Sequence, residues 1–341
     1  MRAGIGLDVG STAVRLAAVR LTRTGPALLA YQRESLAVPD PQNDVIDPMA
    51  ITAAVKSLLR GQRLPKAPVS VGMVNQRMVA REVELPWVPE KELKTALPML
   101  ASDLLPMAVE ESVLDFLPAE EIIDKDGSRT LRGLLLAANE DIVTAAVEAI
   151  ERAGLTVDRV DFSPLGALHA VCNRSAIGAE ALIDVGANTT SLVVHEGSRP
   201  TFVRVMARGG ASVTESLADQ FHIDYEQAQA WKQGVGALWP TMSPGDQHST
   251  RQALDAATGS LIEEIRSSVM FFRTNNGRSI DRVWLIGGGA AQFGLDFQLR
   301  DALHTDVRRA DPGRNLGLVT EVPLADSEAA TAIGLALAVA A

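Results

Sequence analysis

Two stretches of this 341-residue chain carry residue types that could do chemistry at a phosphate. The first is Gly6-Leu7-Asp8-Val9-Gly10-Ser11-Thr12-Ala13-Val14-Arg15-Leu16. The second is Leu182-Ile183-Asp184-Val185-Gly186-Ala187-Asn188-Thr189-Thr190-Ser191-Leu192. Laid over each other, they match as apolar, Asp, Val, Gly, small, polar, then a second apolar run. Each reads as strand, tight turn, strand. The turn glycine permits a positive φ and a close backbone approach. Small hydroxyl or amide residues follow it, so backbone N–H groups and short side chains can face a phosphate. A carboxylate at each strand end suits a Mg-bound phosphate chain held from both sides. One such hairpin alone would read as plain structure. Two copies 176 residues apart favour a nucleotide site.

A third stretch points the same way. Val283-Trp284-Leu285-Ile286-Gly287-Gly288-Gly289-Ala290 is a buried-type strand ending in three glycines. Consecutive glycines at a strand end mark a ligand or a close backbone contact. Arg208-Gly209-Gly210 precedes another helix, and its glycines could let that N-terminus approach an anion or a ribose.

These three stretches resemble the phosphate-1, phosphate-2 and adenosine motifs of the actin-like ATPase superfamily, shared by actin, sugar kinases, DnaK-type chaperones and FtsA. Within its FtsA/PilM branch, segment order and phrasing narrow the resemblance to the PilM family of type IV pilus assembly, over nearly the whole chain. The phrases that carry it are Glu90-Lys91-Glu92-Leu93, Val113-Leu114-Asp115-Phe116, Asn139-Glu140-Asp141-Ile142-Val143 with Ala153-Gly154-Leu155, and Asp161-Phe162-Ser163-Pro164-Leu165.

The resemblance implies ATP and Mg as cofactors. Asp8 and Asp184 would hold Mg through water, because Mg keeps much of its hydration shell. Asp184 is also the one candidate catalytic residue. Gly10, Ser11 and Thr12, and Gly186, Ala187, Asn188 and Thr189, would face the β- and γ-phosphates. Arg15 stands near a position where many relatives carry Lys; it could neutralise phosphate or be an exposed strand residue. Lys232 could reach the base or ribose, or be a solvated helix end. Relatives tend to carry Glu three residues before this Lys, and here that residue is Gln229. Gly287, Gly288, Gly289 and Ala290 would lie against adenine and the α-phosphate. Several relatives place a water-orienting Glu where this chain has Ser163, which offers no carboxylate base. Asp161 should point to the other side of its strand. Hydrolysis is therefore expected to be slow or absent.

The chain carries 32 Lys and Arg against 42 Asp and Glu, a net charge of −10, which argues against general nucleic-acid binding. Its 47% hydrophobic content supports a sizeable core, and its length suggests two or three compact units. The single Cys172 cannot form an intrachain disulfide and reads as a buried helix residue. No targeting segment and no run of eighteen apolar residues is visible, so a cytoplasmic protein without direct membrane insertion is expected.

The expected fold is α/β: an actin-like fold of two duplicated lobes with mixed sheets, plus a small α+β insertion of the 1C type. Lobe I takes 1–85 with 162–179 and 325–341. The insertion takes 86–161 as helix, strand, strand, helix, strand. Lobe II takes 180–324, with its IIB part at about 212–275. Strands are expected at 3–9, 12–20, 27–38, 68–74 and 78–85, and helices at 48–60 and 90–102, with Pro98 kinking or shortening the latter. A helix from Ser163 to Asn173 follows. The meander 181–206 precedes helices at 211–220 and 225–232. Residues 233–247 are expected to be an exposed loop, followed by helices at 248–274, 294–303 and 326–340.

The family implies a partner, the short cytoplasmic tail of a PilN-type membrane protein, which would hold the chain at the inner face of the plasma membrane. Strand 78–85 and the Pro86-Trp87 corner would wall the peptide's groove, and deleting 90–158 should abolish its binding. Other pilus assembly proteins are further expected partners, and homo-oligomerisation is left open. Two alternatives stand beside this reading, an FtsA-like filament former recruited to membranes and a phosphotransferase. The C-terminal helix has no basic face for a membrane surface, and no substrate-pocket motif is legible.

Overall fold

The computed structural model describes residues 2–36, 45–172, 178–320 and 327–341. The first sheet begins with β1 (Ala3–Val9), β2 (Ala13–Thr22) and β3 (Gly25–Ser35), an antiparallel meander. Helix α1 (Pro48–Leu59), capped by the Asp47 carboxylate, leads to β4 (Val69–Met73), parallel to β1. The chain then builds a three-stranded sheet from β5 (Val79–Pro86), β6 (Ser112–Ile123) and β7 (Arg129–Asn139), in the order β5-β7-β6. Helix α2 (Glu90–Ala101) covers it, packing Leu93, Leu97 and Ala101 against Val83, Leu85, Phe116 and Leu135. Helix α3 (Glu140–Arg152), N-capped by Asn139, leads back to β8 (Arg159–Phe162), which joins the first sheet beside β4.

Helix α4 (Ser163–Val171) precedes the second sheet. Strands β9 (Ala179–Val185), β10 (Thr190–Glu196) and β11 (Arg199–Met206) form its meander. Helices α5 (Gly210–Phe221), α6 (Tyr225–Leu238) and α7 (Pro244–Asn276) follow. Strand β12 (Arg282–Ile286), helix α8 (Leu295–Leu303) and strand β13 (Asp306–Arg309) complete the order β11-β10-β9-β12-β13. Helix α9 (Pro312–Leu316) and β14 (Val319–Thr320) return to the first sheet, whose order is β14-β3-β2-β1-β4-β8. Helix α10 (Ala330–Ala340) closes the described chain.

Helix α10 shows why its sequence is made of Ala and Gly. It lies on β1 at backbone distance: a Cβ on Gly6 would sit 2.0 Å from Ala332 O, and one on Gly334 would sit 2.1 Å from Gly166 O of α4. No side chain fits at either crossing. Ala330, Ala332, Ile333, Leu335 and Ala336 are all fully buried there.

Several expectations change. Helix α2 runs through Pro98 to Ala101, within a residue of its expected end, so the proline does not shorten it. Pro98 is exposed, so the carbonyl it leaves free can bond to water. Residues 233–247 are not a loop. Helix α6 continues to Leu238, a 3-10 turn covers Trp239–Thr241, and α7 begins at Pro244. Pro240 and Pro244 each occupy a first helical turn, where the missing N–H costs nothing. Strand β5 belongs to the small sheet and β8 to the first, the reverse of the expected pairing. Cys172 is the half-buried residue that ends α4. The expected helix end at Asn173, the strand end at 37–38 and the helix start at 326 fall outside the described residues.

Candidate functional site

The two repeated hairpins close in the same way. Gly10 N–H donates to Ala13 O at 3.1 Å, and Gly186 N–H donates to Thr189 O at 2.9 Å. Asp8 ends β1 opposite Arg15, and Asp184 ends β9 opposite Ser191. Both turns open on a single cleft between the two large sheets, a cavity of about 540 Å³. That volume falls in the range of ordinary small-molecule sites.

Of the expected residues, Asp8, Gly10, Ser11, Thr12, Arg15, Asp184, Gly186, Ala187, Thr189, Gly210, Gln229, Lys232, Gly287, Gly288 and Gly289 line this cleft. Asn188 and Ala290 are buried behind its wall. Gly209 also stands behind the wall, so close to the second turn that a Cβ would sit 2.4 Å from Ala187 O. Asp161 lies outside the cleft and pairs with Arg159 at 2.8 Å. Sequence reasoning missed Arg33, Tyr225, Gln233, Gln292 and Glu328, which also line the cleft. Tyr225, Gln229, Lys232 and Gln233 share a helical spacing on α6, a signal that could have found Tyr225 and Gln233. Arg33 stands directly opposite Arg15 across β2 and β3. Glu328 carries no local signal.

The charges in the cleft are arranged unequally. Arg15 is buried, not the exposed strand residue that one reading expected. It lies 3.5 Å from Asp8 and donates to Glu328 Oε2 at 2.9 Å. Burial opposes its charge, but Asp8 and Glu328 outweigh that and hold the guanidinium above its ordinary pKa. Ser163 hydroxyl donates to Asp8 Oδ1 at 3.2 Å. Asp8 is nevertheless raised by burial, which Arg15 and Ser163 only partly oppose. Asp184 is half-buried and has no ion pair among the described residues. Burial first, then the neighbouring Asp8, push its pKa up to about 7.

Gly287 supplies the sharp turn at the end of β12. Its φ is +87°, and a Cβ there would sit 2.2 Å from Asp184 Oδ1. Lys232 lies inside α6 rather than at a solvated helix end. Its Nζ donates to Gly210 O at 2.7 Å and Thr214 Oγ1 at 2.6 Å. Burial without a carboxylate partner lowers it to about 8. Thr214 also donates to Gln229 Oε1 at 2.6 Å. Among the described residues no three His, Cys, Asp or Glu side chains converge as a metal site. Two acidic groups across a cleft fit a cation that keeps its own waters and takes other oxygens from a ligand.

A second, smaller cavity of about 160 Å³ lies between the small sheet and the first large one, with Ser198 and Pro200 of the second sheet's β10–β11 hairpin on a further side. Asp115 and Leu117 of β6, Leu136 of β7, Arg159 and Asp161 of β8, and Leu165, Leu168 and His169 of α4 wall it. Strand 78–85 and Pro86-Trp87 do not line this cavity, because β5 hydrogen-bonds to β7 on the opposite edge of the small sheet from β6.

A solved PilM–PilN type IV pilus biogenesis complex contains a chain 26% identical to this one, with a TM-score of 0.83 over 99% of this chain and 98% of that one. Cell division protein FtsA of Streptococcus pneumoniae is 23% identical over 332 residues, 85% of this chain and 71% of its own length. FtsA of Bacillus subtilis matches over 55% of its length, so this chain spans only part of these curated relatives. MreB5 of Spiroplasma citri, solved with ADP, is 13% identical with a TM-score of 0.51, covering 98% of this chain and 95% of that one, a likeness of fold alone. The expected actin-like ATPase fold is therefore the fold of this chain. The sequence model of the type IV pilus assembly protein PilM matches residues 6–340, and the chain belongs to that family.

Proposed function

We propose that this chain is an ATP-binding scaffold of type IV pilus assembly that holds the short cytoplasmic tail of a PilN-type membrane protein. The observation that carries the nucleotide half is the placement of Asp8 and Asp184 on two equivalent turns facing one cleft. In this reading Asp8 and Asp184 would hold Mg through its waters, and the ion would supply positive charge that offsets both carboxylates. Gly10, Ser11, Thr12, Gly186, Ala187 and Thr189 face the phosphates, with Arg15 beside them. Gly287, Gly288 and Gly289 lie against the adenine side, and Gln229 and Lys232 stand near the ribose. A neighbour of the same fold is known with bound ADP. The lobes proposed are those expected from the sequence, with β5 counted to the insertion and β8 to lobe I. Hydrolysis is slow or absent, because Ser163 spends its hydroxyl on Asp8 and offers no carboxylate to a water. Single-turnover assays check this: hydrolysis near an ordinary enzyme's rate of about 10 per second overturns it.

The peptide half rests on the second groove. It is flanked by β6 and β8, each an edge strand of its sheet, with apolar Leu117, Leu136 and Leu165 between them. An extended peptide could pair with such an edge and bury alternate side chains. Among the described residues no helix is long and apolar enough to cross a membrane. Membrane proximity would therefore come through the partner. The deletion of 90–158 expected to test this is unsuitable. Ala146, Ala149 and Ile150 of α3 are buried in the core around α1, so the deletion would open that core. Leu117→Glu in the full chain is the better probe. Calorimetry with a synthetic PilN-type tail should show binding by the wild type and at least about tenfold weaker binding by the variant. Equal affinities would mean that the groove is placed wrongly, and no binding by the wild type would remove the partner.

A further inference from the structure

Lys232 stands near the ribose in the reading above, yet its side chain is committed elsewhere. An ammonium has three N–H donors. Two of those of Lys232 end on α5, where Nζ donates to Gly210 O at 2.7 Å and to Thr214 Oγ1 at 2.6 Å. Gly210, Thr214 and Lys232 are all buried. Thr214 passes the contact back to α6 by donating to Gln229 Oε1 at 2.6 Å. Lys232 and Thr214 thus pin the first turn of α5 to the cleft face of α6.

That first turn is itself fastened to the second phosphate-type turn. Gly210 N–H donates to Gly186 O and Ala211 N–H donates to Ala187 O, both at 2.9 Å. Two of the N–H groups that a helix start could offer to an anion are thereby spent inside the protein. The packing is backbone on backbone, because a Cβ on Gly209 would sit 2.4 Å from Ala187 O and 2.6 Å from Gly186 O. A path of hydrogen bonds therefore runs from Lys232 through Gly210 to Gly186, with Thr214 and Ala211 beside it. Groups that face a phosphate act only at hydrogen-bond distance, so whatever fixes this turn governs how well it holds one.

We infer that Lys232 is a positioning residue for the second phosphate-type turn: acting through Gly210 and Thr214 of α5, it fixes Gly186 and Ala187 and does not touch the nucleoside. This rests on the nucleotide reading above, in which Gly186, Ala187 and Thr189 face the phosphates. Loss of Lys232 therefore weakens the hold on phosphate whether or not a nucleoside is attached. A lysine that contacted ribose or base would matter only when the nucleoside is present.

The test is calorimetry on the full chain with Mg·ATP and with Mg·tripolyphosphate, which has the phosphates and no nucleoside. Lys232→Met should weaken both ligands by the same factor, about tenfold. Thr214→Val keeps the shape and the Lys232 charge, removes only the hydroxyl, and should weaken both ligands several-fold. Thr214→Ser keeps the hydroxyl, removes a methyl group, and should bind both within about twofold of the wild type, which separates the hydrogen bond from packing. The Thr214 pair decides the matter even if Lys232→Met folds poorly. A loss confined to Mg·ATP in Lys232→Met would mean that Lys232 touches the nucleoside, and unchanged affinities would mean that it positions nothing in the site; either overturns the inference. Equal losses in Thr214→Val and Thr214→Ser overturn it as well. So does wild-type binding of Mg·ATP without Mg·tripolyphosphate, because the turns then hold no phosphate by themselves. Binding of neither ligand by the wild type overturns the nucleotide reading itself, and this inference with it.

Discussion

The two hairpins of the cleft are built to one plan and end in opposite electrostatics. Each places an aspartate at the end of its first strand and closes its turn with a glycine N–H. In each, the residue seven positions on faces that aspartate across the ladder. In the first hairpin it is Arg15; in the second it is Ser191. Asp8 thus has a cation and the Ser163 hydroxyl, whereas Asp184 has neither. The second lobe brings its cation from elsewhere: Lys232 on α6 reaches the cleft wall but pairs only with neutral oxygens. A repeated backbone motif therefore fixes where carboxylates stand, while a single cross-strand position decides how each is balanced.

The comparison breaks most visibly at that position. Arg15→Ala removes the only ion-pair partner of Asp8 among the described residues and one of two for Glu328. Leaving such charges in a buried site costs about 3–5 kcal/mol. Ser191→Ala, at the matched position, should cost about 1 kcal/mol or less, the worth of one neutral hydroxyl. Urea unfolding of both variants measures the difference. Similar costs would mean that the two hairpins are balanced alike.

A second variant sharpens the contrast at the carboxylates. Asp184→Asn removes a charge that burial and Asp8 both disfavour, so the free protein should gain stability. The same change removes a proposed Mg position. At a hundredfold excess over the dissociation constant a ligand stabilises by about 2.7 kcal/mol, and the variant should lose that gain. Thermal unfolding with and without Mg·ATP reads both effects. A variant that keeps the full ligand shift would remove Asp184 from the site.

Much of this was legible in the sequence because the signals were local. A strand, a glycine and small polar residues specify a phosphate-type turn within about ten positions, and three such stretches found nearly half of the cleft wall. Glu328 and Arg33 were not legible. Arg33 reaches the site only through the β2–β3 register, and Glu328 only through the return of the chain to the first sheet. The sheet membership of β5 and β8 was hidden for the same reason, since apolar alternation marks a strand but not its neighbour. Residues 233–247 misled by composition. Gly234 and Gly236 are tolerated inside α6, and the prolines start helical segments instead of ending them.

The last contrast is between the two buried cations. Arg15 is held charged by carboxylates, whereas Lys232 is lowered to about 8 by burial alone. In the unfolded chain a lysine titrates near 10.4. Between these values the unfolded chain binds more protons than the folded one, so stability must rise with pH. The penalty for burying a charged Lys232 is full below about pH 8 and is gone above the unfolded value. The residue is only 8% exposed, so solvent screening does not dissolve the effect. From pH 7.5 to 9.5 the wild type should gain about 2 kcal/mol relative to Lys232→Met, which cannot titrate. The two oxygens that Nζ meets, Gly210 O and Thr214 Oγ1, accept from a neutral amine as well as from an ammonium, so deprotonation does not break the packing. Urea unfolding of both proteins at the two pH values measures the double difference. Parallel pH profiles would mean that Lys232 keeps an ordinary charge in the fold, and the two lobes would then hold their cations in the same way.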